Sequence, residues 1–410
     1  MNPFVLLAVG AVTPHPQVAV GEPWQLSVEG QLRPRFVTHT GRDFAEETLV
    51  DQLYVSQRSR LGVVLQHADG TQVTVRLQDV RFWGEETDTL DASAEGVDFH
   101  EAALRLPLME GTTLTVGRQE FAWDQQRLIG QTNWAQRGRA YDGLRLRWVG
   151  EAADAEAIVL PILASSNTHP PLGDADGHVD PARTDDTWLA GLHAHTTVGA
   201  GLELTGLYLF RRDGALEEKR HTVGGLASVK RGGLNGSLEG YYQLGDLGQE
   251  SIGAWMTGAR LGYTFDAIVK PQVTLIGDVL SGDGQPTGAF DTLYGTNHGL
   301  YGELDFFTNI PRHTAGLGLL DAAVRVGMEP TQGLAIKGDF HQFRSVEPGP
   351  NDETDFGQEI DVNLDWKASE QLSLAVLVGI FLPGDLWKVT RGPADASAEQ
   401  ALYVTTDYRF

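Results

Sequence analysis

Cysteine is absent from these 410 residues. That removes disulfides, zinc–thiolate sites, iron–sulfur clusters and cysteine nucleophiles together. Lysine is absent from the first half of the chain; the first to occur is Lys219. Cations are outnumbered, 31 Lys+Arg against 55 Asp+Glu, giving a net charge of −24, so the basic footprint of a nucleic-acid binder is missing. No apolar run reaches the ~18 residues of a membrane-spanning helix, and no long stretch shows a 3.6-residue period. A GxSxG elbow is lacking, as is the short coil repeat of a β-helix polysaccharide lyase. His193-x-His195 alternates onto one strand face without a third ligand at a telling spacing. The reading is therefore non-enzymatic. The mean hydropathy of −0.21 resembles that of a soluble protein, but transmembrane β-barrels share it because their strands alternate apolar and polar residues.

The N-terminus carries a short apolar stretch, Phe4 to Val12, with Ala8-x-Gly10 as a small-x-small pattern, like the h-region of a secretory signal. No Lys or Arg precedes it. Pro14, Pro16 and Pro23 then favour extended chain. Residues 1–23 are thus expected to be a leader and lead-in, and 24–410 a single domain.

From Trp24 onward the pattern is alternation, the mark of half-buried strands. Trp24, Leu26, Val28, Leu32 and Phe36 oppose Gln25, Ser27, Glu29, Gln31, Arg33 and Arg35. Val73, Val75 and Leu77 oppose Thr74 and Arg76; Leu144, Leu146 and Trp148 oppose Arg145 and Arg147. At the end, Leu402, Val404, Tyr408 and Phe410 oppose Tyr403, Thr405, Asp407 and Arg409. The chain is all-β.

Breaks between strands alternate in length. Short ones fall at 67–70, 109–111, 150–153, 198–200, 231–233, 266–270, 329–332 and 368–371. Longer ones, often acidic, fall at 39–50, 84–96, 124–139, 164–186, 212–218, 245–251, 281–317, 345–356 and 383–400. Seventeen connections make eighteen strands, with residues 298–307 placed in a long loop because a strand there would break the parity. Short periplasmic turns, long extracellular loops and an even strand count describe a closed antiparallel transmembrane β-barrel. Aromatics near strand ends (Trp24, Trp83, Trp148, Tyr208, Phe210, Trp255, Tyr263, Phe265, Trp366 and Phe381) fit interfacial girdles.

Residues 117–148, GRQEFAWDQQRLIGQTNWAQRGRAYDGLRLRW, resemble the signature block of the alginate-export family of outer-membrane porins. The stretches 281–307 and 357–389 agree with it. Tyr408 and Phe410 resemble the terminal aromatic signal read by the barrel-assembly machinery. The resemblance implies an eighteen-stranded barrel in the outer membrane of a Gram-negative bacterium, with an arginine-rich constriction that passes an anionic polysaccharide. The family prototype is strongly electropositive in its pore; a net charge of −24 departs from that.

The first 150 residues hold fourteen Arg and no Lys. Arg33, Arg35, Arg58, Arg60, Arg76, Arg145 and Arg147 are expected on the lumen side by alternation. Arg118, Arg127 and Arg139, inside the family block, are expected to join them. Rings of Arg suit anion-selective pores, since the guanidinium is a permanent planar fork for carboxylates. Two readings stay open. The arginines form a cationic conduit, or they pair with carboxylates such as Glu29, Glu101, Glu120, Asp124 and Asp142 as a structural brace. The acidic loops, including Asp174, Asp176 and Asp180, read as solvated surface or as a structural calcium site; no other cofactor is implied. The expected function is passive diffusion or export of an anionic saccharide such as alginate by a monomer among outer-membrane lipids. A general porin, a rim-site hydrolase and a plugged structural barrel are the alternatives.

Overall fold

A computed structural model describes residues 17–19, 21, 23–42, 50–85, 96–163, 186–199, 201–392 and 396–410. The leader stretch 1–16, most of the acidic segment 84–96, and Asp174, Asp176 and Asp180 lie outside the described residues.

Eighteen long strands run from Trp24–Arg42 to Glu399–Arg409, each antiparallel to the next in sequence. The last pairs back onto the first, with Val404 opposite Phe36 and Arg409 opposite Gln31, which closes the sheet into a barrel. A three-residue strand, Gln17–Ala19, continues beside the part of the first strand that extends past the C-terminus. Closure satisfies every strand edge internally, the condition for a sheet to sit in hydrocarbon.

The alternation decides which way each side chain points. In Glu250–Thr264, Ile252, Ala254, Met256 and Arg260 are buried inside, while Trp255, Leu261 and Tyr263 are exposed outside. Leu53, Leu192, Leu238 and Val378 are likewise exposed. An apolar outer surface of this extent belongs against lipid. Phe381 differs from the girdle expectation. It faces inward, fully buried and stacked on Phe306 at 4.0 Å.

The eight short connections fall where alternation places them, and Glu110-Gly111 is a two-residue turn whose second residue has φ +71, a conformation glycine accepts without strain. Residues 298–307 form no strand. Two connections expected to be long are tight turns, 214–217 and 248–249. Charged runs mislead there. Glu218 and Arg220 continue a strand as inward-facing residues, with Glu218 paired to Arg211 across the hairpin at 2.6 Å.

Candidate functional site in the lumen

The buried apolar cluster lies inside the barrel, where two long connections fold against the inner wall. Residues 120–140 contribute Phe121, Trp123, Leu128 and Ile129; residues 281–318 contribute Phe290, Tyr301, Leu304, Phe306, Phe307 and Ile310. Each such side chain contributes about 1.5–3 kcal/mol when fully buried, so these loops are anchored parts of the structure. Phe306 and Phe307 pack on wall residues Phe381, Phe343 and Phe356 and on Trp387 from the helix Asp385–Thr390.

The two loops are joined to each other. Ile129 and Tyr294 form a parallel bridge, and Gly130 N donates to Tyr294 O at 2.9 Å while Tyr294 N donates to Leu128 O at 3.0 Å. Trp134 stacks on His298 and donates through Nε1 to Asp305 at 3.0 Å. His298 bridges Glu303 at 2.9 Å and Asp305 at 3.0 Å. Burial lowers its pKa, but the charges of Asp305 and Glu303 outweigh that and hold it at about 9.

The arginines divide by partner. Arg60 and Arg76 enter a carboxylate network with Glu120, Glu29 and Glu101. Burial favours the neutral form of Glu120, yet the His100 hydrogen bond and the Arg60 charge bring its carboxyl down to about 2. Arg127, from the first loop, is buried beside Glu239 at 2.5 Å and Asp278 at 3.0 Å; Arg260 meets the same two carboxylates at 3.0 Å. Burial opposes the Arg127 charge, but Asp278 and Glu239 more than compensate and raise its pKa. Arg145 pairs with Glu156 at 2.6 Å, and Arg147 lies 3.4 Å from Glu156 and 3.7 Å from Asp154. These six guanidiniums, Arg260 included, act as braces in part or in whole.

Arg33, Arg35, Arg58 and Arg139 meet neutral groups. Arg33 donates to the carbonyls of Asn133 and Ala135 and to Gln136 Oε1. Arg58 donates to Asn133 Oδ1 at 3.0 Å. Arg35 donates to Thr405 and lies 3.8 Å above the Trp134 ring. Arg139 donates to the carbonyls of Tyr294, Gly130 and Gly295 and so ties the two loops together. Asp124 lies 2.9 Å from His193 Nε2, whose ring stacks on Trp123.

Arg118 and Asp142 do not reach the lumen. They are register partners in line with the outward pairs Val116–Leu144 and Leu114–Leu146, and they pair with each other at 2.8 Å on the outer face near the long-loop end. Their membership of the family block led to the lumen assignment. Strand parity places them outside.

Arg105 was absent from the expected set, yet it shares the inner face with Glu101 and Ala103 and lies in one row with Thr115 and Arg145. It is exposed and has no ion pair among the described residues. Arg105, Arg145 and Arg147 therefore present cationic surface along one inner wall. The wall formed by later strands carries buried carboxylates, with Asp278 opposite Asp321 and Asp339 opposite Asp361 in register, and matches them with Arg260, Arg325, Lys337 and His341.

The model of a family described as alginate export matches residues 24–400. Among curated proteins none matches. Solved structures share the fold at low identity. Pseudomonas aeruginosa OccK2 has a TM-score of 0.66 at 11% identity, covering 94% of this chain and 97% of that one. Acinetobacter baumannii OccAB2 gives 0.65 at 14% identity with 94% and 98% coverage. Pseudomonas aeruginosa OccD3 gives 0.64 at 11% identity with 97% and 93% coverage. OccK2 has also been crystallised in complex with glucuronate.

Proposed function

Because this chain belongs to the alginate-export family and builds a Gram-negative outer-membrane barrel channel, we propose that its solutes are carboxylate-bearing saccharides, alginate or its uronate units, moving by passive diffusion. The observation that carries this reading is the inner-wall group of exposed Arg105 and Arg147 with half-buried Arg145, of which Arg105 has no ion pair among the described residues. A guanidinium offers two parallel N–H donors to a carboxylate, and in a narrow lumen those donors replace water around the solute. Thr115 lies between Arg105 and Arg145 in register, Thr113 lies opposite Arg147, and both supply hydroxyls for sugar oxygens. The glucuronate complex of OccK2 concerns a fold relative and is chemically in keeping with this choice.

A second reading is a general porin for small solutes. It draws on the carboxylate partners of Arg145 and Arg147 and on the net charge of −24. Reversal potentials across a planar bilayer in a salt gradient separate the two. The saccharide-acid reading expects anions to permeate faster than cations at low salt, with the preference fading as salt screens the wall. A permeability ratio near unity at low salt would leave only the general porin.

A further inference from the structure

We propose that Arg33 and Arg58 form a carboxylate site which residues 133–136 of the first inward loop occupy as an internal stand-in, so that an entering uronate competes with the loop. The proposal rests on the saccharide-acid reading above and adds its regulation. Arg33 and Arg58 are direct register partners on neighbouring strands. Both are buried, at 6% and 0% exposure, so two like charges are held together away from water.

Their acceptors are all neutral oxygens of a single short segment. Arg33 Nη1 donates to Asn133 O at 2.7 Å, Nη2 to Ala135 O at 2.9 Å and Nε to Gln136 Oε1 at 2.9 Å. Arg58 Nη1 donates to Asn133 Oδ1 at 3.0 Å, while its Nε and Nη2 have no acceptor. Neighbouring carboxylates are otherwise engaged, Asp407 with Arg409 and Gln31 and Glu120 with Arg60 and His100. A buried charge without a counter-charge is costly. A carboxylate adds the counter-charge that these neutral oxygens lack, so exchanging the loop for a uronate gains at these atoms.

Outside the two arginines, residues 133–136 are held to the wall and to the second loop through Gln136 and Trp134, while the rest of the loop stays anchored by its apolar residues. Gln136 Nε2 donates to Ser56 O, Ser56 Oγ and Arg33 O at 3.1–3.2 Å, and Trp134 rests between Arg35 and His298. Together with the Trp134 Nε1 bond to Asp305, these contacts latch the segment against the basic wall. Displacing it uncovers that wall.

The cysteine-free chain makes the test clean. Ser56→Cys and Gln136→Cys are introduced together and joined by a short crosslinker with a reducible disulfide in its span. Planar-bilayer currents are then recorded with sodium glucuronate or, as a neutral control, glucose. The native chain should respond saturably to glucuronate with an increased open fraction and not to glucose. Tethering should abolish the response, and reductant should restore it. Gln136→Ala, which keeps both arginines, should lower the half-saturating glucuronate concentration by about tenfold, as expected from losing the latch hydrogen bonds. Heat-modifiable migration checks that each variant is folded. A tethered channel that still responds, or an equal response to glucose, overturns the inference. An anion-selective pore indifferent to the tether sinks this proposal alone, whereas a pore with no anion preference removes the reading beneath it.

Discussion

Trp134 lies flat on His298, ring centroids 4.0 Å apart and planes 8° from parallel, so that one inward loop rests on the other. The stack depends on a charged clamp, because His298 also holds Glu303 and Asp305.

The pH dependence of that clamp follows from its sign. The folded pKa of about 9 exceeds the ~6.5 of an unfolded histidine. Its stabilisation, on the order of 3 kcal/mol, is therefore fully present below about pH 6.5 and is lost as pH rises through 9. Current noise from loop motion should grow between pH 8 and 10 in the native channel. His298→Phe keeps a ring against Trp134 but not the charge, and its noise should not vary over that range. Identical pH profiles for the two would rule out the clamp.

Arg127 with Glu239 tests the brace. Removing one charge of a buried, hydrogen-bonded network costs about 3–5 kcal/mol. Arg127→Gln leaves Glu239 and Asp278 with Arg260 alone, so the temperature at which the folded band is lost on gels should fall clearly. Adding Glu239→Gln restores the balance, one cation against Asp278, and should recover part of the loss. A double variant weaker than the single would contradict the charge argument.

Alternation made the barrel legible. One face of each strand meets lipid and the other meets the lumen, and a period of two is all that this requires. Leu144, Leu146 and Trp148 against Arg145 and Arg147 is a case in which reading and structure coincide. Arg105 carries the same signal within EAALRL, and counting parity from Glu101 would have found it. Arg118 lies in the family block, but it shares the parity of Leu114 and Val116 and so points outward. The inward course of 120–140 and 281–318 had no such signal. Their aromatic residues follow no period, and contacts like Phe306 on Phe381 join positions 75 apart in sequence, which no local pattern encodes. The partners of the arginines were equally hidden, since Arg127 finds Glu239 across 112 residues.

The C-terminus closes the barrel through backbone as well as side chain. Gly30 N donates to Phe410 O at 3.0 Å, and a Cβ at position 30 would run into the Phe410 ring. Gly30→Val should push the ring aside and, like deletion of Phe410, reduce the yield of folded, heat-modifiable barrel. Permeability of the molecules that do assemble should stay native. Full assembly of both variants would show that neither the ring nor its seat contributes to insertion.

Selectivity is best tested where a charge can be removed without stranding a partner. Arg145→Gln would leave Glu156 short of its 2.6 Å ion pair, so a changed current could reflect a distorted wall. Arg105 has no such partner among the described residues and faces open lumen. Arg105→Gln should leave thermal stability within about 0.5 kcal/mol of native, as expected for an exposed substitution. Coulomb interaction at 4 Å is roughly 1 kcal/mol in bulk water and about 4 kcal/mol at an effective dielectric of 20. Even the lower figure corresponds to a several-fold change in local anion occupancy, so the anion/cation permeability ratio should fall by about twofold to fivefold at low salt and much less at high salt. A stable variant with an unchanged ratio would mean that the exposed arginines do not select, and the barrel would then be a general porin braced by its charges.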